Sequence, residues 1–138
     1  MQVALSLKKD ILASIPLFQH ASQAFIEAVA LHLKPMVLTP GDCVFKAGEI
    51  GKEMYFIING SINVVTKDQK TTLSKLSDGD FFGEVALFLH QPRTATIIAE
   101  TYCDLYVLSK DAFDEVIAQY PYFAATIEEI ARERGGNL

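Results

Sequence analysis

The sequence predicts an α+β fold in which an antiparallel β-roll, similar to a jelly roll, is flanked by helices at both ends. Helical spacing of apolar residues gives way to short β-rich runs near Met36 and returns after Leu108. Six of the eight glycines lie between residues 41 and 83, where tight turns must join the strands. The 138 residues and the 50% hydrophobic content suit one domain with one core.

The first part, residues 1–34, is expected to form a small helical bundle. Pro16 separates two apolar segments of helical spacing, and Ser22 is a candidate N-cap for the second. The middle part, residues 35–109, contains runs such as EMYFIIN, SINVVT and CDLYVLS. Several strands so closely spaced favour a roll or sandwich over a parallel sheet.

The last part, residues 110–138, returns to helical spacing. Ser109 is a candidate N-cap for one helix, and Pro121 is tolerated in the first turn of another. The second helix has one apolar stripe, which needs a partner surface.

Composition excludes several classes of function. A net charge of −5 and a pI near 5.1 argue against a nucleic-acid partner, because phosphate backbones are bound by clustered Lys and Arg. Cys43 and Cys103 have no metal-binding or redox motif around them, so we expect two reduced, buried thiols of a cytosolic protein. No apolar run approaches ~20 residues, so the chain is expected to be soluble, without direct membrane contact. His20, His32 and His90 lack metal-ligand spacing, which predicts no metal and no cofactor.

The segment FFGEVALFLHQPRTATI carries the candidate binding site. Between Ser77 and Ile130 the only Lys or Arg residues are Arg93 and Lys110, against ten acidic residues. Gly83 precedes a short helical turn whose free N–H groups suit an anion, and the Arg93 guanidinium can hold two phosphate oxygens.

Glu84 is the unexpected member of this segment, because a carboxylate beside an anion is repulsive unless it accepts a hydrogen bond. A ribose hydroxyl would supply that donor, and Thr94 adds a hydroxyl that can reach a phosphate oxygen or a base edge. The structural alternative is that Gly83 is a turn glycine and Glu84 an acid favoured at a helix start.

FGEVAL followed by PRTAT resembles the phosphate-binding cassette of cyclic nucleotide-binding domains, whose pattern is F-G-E-[ILV]-[ASC]-L, a spacer, then R-[TS]-A. The run PGDCVFKAGEIGKEMYFIINGSINVV is similar to the first strands of the same family, so the resemblance covers most of the chain. Within the family, KLSDGDFFGE, TYCDLYVLS and LKKDILASIPLFQHAS most resemble the cytosolic domains of cyclic nucleotide-gated and hyperpolarization-activated channels.

The resemblance implies a β-roll that holds the nucleotide in a cassette at residues 82–94, with the last helix as a lid. The resemblance implies that the backbone of Gly83, Glu84, Val85 and Ala86 contacts the phosphate and ribose. It implies that the Glu84 side chain binds the 2′-hydroxyl and that Arg93 and Thr94 bind the phosphate. The purine would lie against Val64 and Leu76, and Arg134 or Ile130 of the lid would contact the base. The GG that follows Arg134 departs from the animal channel pattern and leaves the register of the lid contact open.

The function predicted from the resemblance is a non-enzymatic sensor of cyclic AMP (cAMP), with cyclic GMP (cGMP) as the second possible ligand, that regulates a cation or potassium channel by closing its lid helix. The full-length protein would carry a transmembrane pore, would be tetrameric and would hold this domain on the cytoplasmic side of the cell membrane. One alternative is a sensor attached to a kinase, or to a transcription regulator, which would continue into a basic helix-turn-helix. A remoter alternative is a jelly-roll metalloenzyme, although His90 is the only histidine in the strand region.

Overall fold

The computed structural model of the chain describes residues 2–15, 18, 21–85 and 91–137, without the side chains of residues 2–7, 131 and 134–137. Within these residues the helices are α1 (Gln2–Ala13), α2 (Gln23–His32), α3 (Lys110–Gln119) and α4 (Pro121–Asn137). The strands are β1 (Lys34–Leu38), β2 (Cys43–Phe45), β3 (Glu53–Asn59), β4 (Ser61–Val65), β5 (Thr72–Ser77), β6 (Phe81–Phe82), β7 (Thr96–Ala99) and β8 (Cys103–Ser109).

The strands form two four-stranded sheets, in the orders β1-β8-β3-β6 and β2-β7-β4-β5. Every neighbouring pair is antiparallel. An apolar cluster from both sheets, which includes Ile57, Ile62 and Leu105, fills the space between them. The predicted antiparallel roll with flanking helices is therefore confirmed.

The helices begin where the sequence predicts. The Ser22 hydroxyl accepts a hydrogen bond from the Phe25 N–H at 3.1 Å, and the Ser109 hydroxyl accepts one from the Ala112 N–H at 3.2 Å. Both serines act as N-caps, each satisfying an N–H that the helix leaves without a partner. Pro121 begins α4, as expected for a residue that lacks a backbone N–H.

A second apolar cluster, here called the helical cluster, lies on the outer face of the first sheet and contains Leu12, Ile15, Phe18, Phe25, Ile26, Val29, Ala30, Leu33, Met54, Phe56, Phe81, Leu108, Ala112, Phe113, Val116, Phe123 and Ile127. The Phe123 ring of α4 lies 4.6 Å from the Phe25 ring and 5.9 Å from the Phe18 ring, centroid to centroid. The apolar stripe of α4 thus finds its partner surface in the N-terminal helical region and the sheet.

The prediction of two buried thiols is half wrong. Both cysteines are free, but only Cys103 is buried, and Cys43 is exposed. The reason is topological: Cys43 begins β2, which lies at the edge of its sheet, whereas Cys103 begins β8, which is flanked on both sides. The order of strands in a sheet is not visible in the sequence, so the sequence could not show that Cys43 lies on an edge strand.

Candidate functional site

A cavity of about 230 Å³ opens between the second sheet, the turn after β6 and the end of α4. Its walls are formed by Phe45, Val64, Ser74, Leu76, Phe82, Gly83, Glu84, Val85, Arg93, Thr94, Ala95, Ile97 and Glu133. Most of these side chains are apolar, with one arginine and two glutamates among them. The cavity is therefore suited to a ligand that has an apolar face and a few polar groups.

The turn after β6 is shaped around Gly83. Its φ is +92°, in the left-handed region that favours glycine. A Cβ atom at this position would lie 3.0 Å from the Glu53 carbonyl oxygen and 3.1 Å from Arg93 Nη1. Glycine therefore lets the turn approach both strand β3 and the arginine.

Glu84 and Val85 follow in helical conformation, and both are buried. The Glu84 side chain is 0% exposed even though it lines the cavity. The charge of Glu84 also acts on Arg93, which lines the same cavity, so the two side chains place opposite charges on its wall.

Arg93 lies beside this turn on the cavity wall and is only 6% exposed. Its Nη1 donates to the Gly83 carbonyl oxygen and its Nη2 to the Glu53 carbonyl oxygen, both at 2.7 Å. The Arg93 backbone is also held, since its N–H donates to the Glu49 carbonyl oxygen and its own carbonyl oxygen accepts from the Gly48 N–H, both at 2.8 Å. The guanidinium is thus fixed in place by neutral carbonyl groups.

Burial lowers the pKa of the Arg93 guanidinium, and the nearby Tyr55, Glu53, Glu84 and Glu49 oppose that shift. The charge on Arg93 is therefore held in a partly dry environment, where an anion would be attracted more strongly than in water. Burial, and next the charge of Glu53, raise the pKa of Tyr55, whose hydroxyl donates to the Glu53 carboxylate at 3.0 Å. Tyr55 is consequently a neutral neighbour of the site.

The structure brings together seven of the ten residues predicted from the sequence. These are Val64, Leu76, Gly83, Glu84, Val85, Arg93 and Thr94. Ala86 and the side chain of Arg134 lie outside the described part of the chain. Ile130 packs against the helical cluster, and its contact with the base stays a prediction.

Six further residues of the cavity wall were not predicted: Phe45, Ser74, Phe82, Ala95, Ile97 and Glu133. Strand pairing would have indicated two of them, because Ser74 and Ile97 are the direct cross-strand partners of Val64 and so share its face. Glu133 depends on the rotation of α4, which the sequence alone does not set.

Among the residues with a described position, no group of three or more His, Cys, Asp or Glu side chains could hold a metal ion. The helices in those same ranges also include none with the length and apolar character needed to cross a bilayer.

The fold and the cavity together are those of a ligand-binding module, a roll whose cavity is lined by a buried arginine. The sequence profile of the cyclic nucleotide-binding domain matches residues 35–120. The chain therefore belongs to the cyclic nucleotide-binding domain family, as its resemblance to that family implied.

Two channel proteins are among its relatives. The potassium/sodium hyperpolarization-activated cyclic nucleotide-gated channel 2 of Mus musculus is 44% identical over 126 residues, which cover 91% of this chain and 14% of the mouse protein. Channel 4 of Oryctolagus cuniculus is 43% identical over 126 residues, covering 91% of this chain and 11% of the rabbit protein. The chain therefore spans a small part of these channels.

Solved structures agree on the fold. The regulatory domain of Toxoplasma gondii PKA, crystallised with cAMP, superposes with a TM-score of 0.85 at 22% identity, over 99% of this chain and 51% of that one. The cAMP-bound PfPKA-R superposes with a TM-score of 0.80 at 25% identity, over 97% of this chain and 48% of that one.

Proposed function

We propose that this domain binds cAMP in the cavity beneath α4 and that binding regulates the gate of a cation channel. One observation carries the proposal: Arg93, buried and desolvated, lies on the wall of a mainly apolar cavity that it shares with Gly83 and Glu84. A free phosphate would need only the arginine. The Glu84 carboxylate on the same cavity wall can accept hydrogen bonds, so the cavity suits a ligand that also brings hydroxyl donors.

The nucleotide phosphate would lie between Arg93 and the turn at Gly83. Arg93 uses Nη1 and Nη2 for one bond each to a carbonyl oxygen, and a guanidinium has five N–H donors in all. Its fork therefore retains donors for phosphate oxygens. The backbone of Gly83, Glu84, Val85 and Ala86 would face the phosphate and ribose, with Thr94 beside the phosphate.

The ribose and the base would occupy the rest of the cavity. Glu84 would accept from the ribose 2′-hydroxyl, and the purine would pack against Val64 and Leu76. Arg134 or Ile130 of α4 would cover the base. The Thr94 hydroxyl can serve the phosphate of either cyclic nucleotide and does not by itself select guanine. We favour cAMP over cGMP because the two solved structures described above, on which the chain superposes, hold cAMP.

The channel role rests on the similarity to two hyperpolarization-activated cyclic nucleotide-gated channels. We infer that residues 1–34 end a helical linker from a transmembrane pore, that residues 35–109 bind the nucleotide, and that residues 110–138 form the hinge and lid. The full-length protein would be a tetramer with this domain on the cytoplasmic side of the membrane and out of contact with it. The domain would do no chemistry on the nucleotide and would bind no nucleic acid.

A kinase regulatory chain is the second candidate. The observation that favours it is the superposition on the regulatory domain of Toxoplasma gondii PKA at a TM-score of 0.85. The identity to that domain is 22%, half of the 44% shared with the mouse channel, so the channel role is preferred.

Calorimetric titration with cAMP, cGMP and 5′-AMP tests the binding part of the proposal. We expect saturable binding of both cyclic nucleotides, tighter for cAMP, and much weaker binding of 5′-AMP, whose phosphate is not closed onto the ribose. Arg93→Ala should abolish most of the affinity. Arg132→Ala is the matched control, because Arg132 is exposed and pairs with Glu128 on the surface of α4. Equal affinity for 5′-AMP and cAMP would contradict a cyclic nucleotide site.

A chimera tests the regulatory part. This chain would replace the corresponding segment of the mouse channel, and currents would be recorded with and without cAMP. We expect channel activation to depend on cAMP in the chimera and to lose that dependence with Arg93→Ala. A chimera whose isolated domain binds cAMP but whose current ignores it would favour the kinase role.

A further inference from the structure

The ring of Phe45 lies directly under the cation of the site. The Arg93 Cζ atom is 3.9 Å from the centroid of the Phe45 ring, within the distance of a close cation–π contact. The ring is supported in turn by two aromatic neighbours, since its centroid is 6.0 Å from those of both Tyr55 and Phe82. Tyr55 and Phe82 are stacked on each other at 4.9 Å.

A bulge in β2 turns Phe45 toward this position. Cys43 is paired with Ile98 and Phe45 with Ile97, so two steps along β2 match one step along β7. In a regular strand, consecutive side chains point to opposite faces. Here Val44 and Phe45 both pack against the cluster between the sheets. Bulges commonly redirect a side chain in this way next to functional sites.

The contact between the Phe45 ring and the Arg93 guanidinium matters because Arg93 has little water around it. Removing a guanidinium from water strengthens its attraction to the negative face of an aromatic ring. A ring that covers one face of the guanidinium plane does not block the N–H groups, which point outward along the edge of that plane and can still donate hydrogen bonds. The two carbonyl bonds fix Nη1 and Nη2 at that edge. The ring fixes the remaining freedom, which is the tilt of the guanidinium plane.

We propose that Phe45 is a positioning residue for phosphate binding: its ring sets the plane of the Arg93 guanidinium so that the free donors of the fork face the cyclic phosphate. This inference deepens the proposed function and rests on it. Phe45 acts through Arg93, so the electrostatic character of its ring matters in addition to its size.

Phe45 also lines the cavity, so a loss of affinity in a Phe45 variant has a second explanation, direct contact with the nucleotide. Phe82 provides the matched control. It lines the same cavity and is aromatic, but it stacks on Tyr55 and is not the ring beneath the cation. A ring effect that passes through Arg93 should be seen at Phe45 and not at Phe82.

The experiment replaces Phe45 by mono-, di- and trifluorinated phenylalanine, which weakens the negative face of the ring with little change in size. Affinity for cAMP is measured by calorimetry, and thermal unfolding checks the fold. We expect the affinity to fall stepwise, by about tenfold over the series. The contact is already present without ligand, so the unfolding temperature should also fall, by about 5 °C or less, while unfolding stays cooperative. The same series at Phe82 should give a flat response. Among ordinary variants, Phe45→Leu should lose several-fold in affinity and Phe45→Tyr should retain it.

A flat series at Phe45, or an equal slope at Phe82, would overturn the inference while leaving the proposed function intact, because the unmodified chain would still bind cAMP. Failure of the unmodified chain to bind cAMP would instead overturn the proposed function. The two failures are thus separated within one set of titrations.

Discussion

Replacing Arg93 by alanine should weaken cAMP binding by about 2–5 kcal/mol. A hydrogen bond to a charged group contributes about 1.5–3 kcal/mol, and a guanidinium fork can hold two phosphate oxygens. The desolvation of Arg93, which lowers its pKa, places the contact in a medium where these bonds are stronger than at an exposed site. The expected loss corresponds to roughly 30- to 5,000-fold in Kd.

The same substitution should affect stability much less. It removes the donor from the carbonyl oxygens of Gly83 and Glu53, at a cost of about 1–3 kcal/mol each if they stay dry. It also removes the cost of burying a charged guanidinium, and the shortened side chain lets water from the open cavity reach both oxygens. We therefore expect the unfolding temperature to change by on the order of 5 °C.

Calorimetric titration with cAMP, with thermal unfolding of the same samples, checks both numbers. Arg93→Lys should fall between the parent and alanine, because it keeps the charge and loses the planar fork. Arg132→Ala should match the parent in both measurements. An Arg93→Ala protein that remains folded and binds cAMP within about threefold of the parent would refute the reasoning, since one fork contact to a phosphate exceeds that margin.

Four further predictions follow from the same geometry. Glu84→Gln should weaken cAMP binding by about 1–2 kcal/mol, with little additional loss for 2′-deoxy-cAMP, and titrations in which the two losses add fully would count against a ribose contact. Gly83→Ala should lower the free energy of unfolding by about 1–3 kcal/mol in chemical denaturation. Gly41→Ala should cost less, because Gly41 has a similar positive φ but open space where the Cβ atom would lie. Equal costs at the two positions would show that crowding at Gly83 does not matter. The folded-state pKa of Tyr55 lies above its ordinary value of 10.0, so its contribution to stability is present below that pH and is lost as the pH rises. Tyr55→Phe should therefore show a shallower fall in unfolding temperature than the parent between about pH 9 and 11. Parallel curves would contradict this. Deleting residues 132–138 should keep the helical cluster and cost about tenfold in cAMP affinity by calorimetry. A truncated chain that binds as tightly as the parent would exclude Arg134 as the lid contact and leave Ile130 as the candidate.

The fold was predictable because the signals were local. Ser22, Ser109 and Pro121 each mark a helix start through chemistry that acts within one turn of the chain. The roll followed from the alternation and spacing of short strands. The exposure of Cys43 was not predictable, because it depends on the place of β2 at a sheet edge, which is a long-range property.

The residues of the candidate site also divide into those set by local sequence and those set by long-range strand pairing. Gly83, Glu84 and Arg93 lie in one segment, and their chemistry made them candidates before the structure placed them on one cavity. Phe45 comes close to Arg93 through strand pairing and a bulge, and neither can be deduced from the run CVFKA. Contacts that arise where distant segments meet are those that sequence reasoning missed.

The energy that a lid contact can supply limits what one domain can do. Helix α4 joins the helical cluster through Phe123 and Ile127, and at its far end Glu133 lines the cavity that is proposed to hold the nucleotide. A ligand that draws this end inward therefore acts on the same element that packs against the N-terminal helical region. Moving a two-state equilibrium from 1:99 to 99:1 takes about 5.5 kcal/mol of differential affinity, whereas one lid contact supplies about 1–3 kcal/mol. A single domain saturated with cAMP should therefore still populate both lid positions. Four coupled copies, in the tetramer proposed above, would together supply about 4–12 kcal/mol and would reach the threshold at about 1.4 kcal/mol per copy. Nuclear magnetic resonance of the isolated domain at saturating cAMP checks this, because complete conversion to one conformer would mean that the cassette contributes to closure as strongly as the lid does.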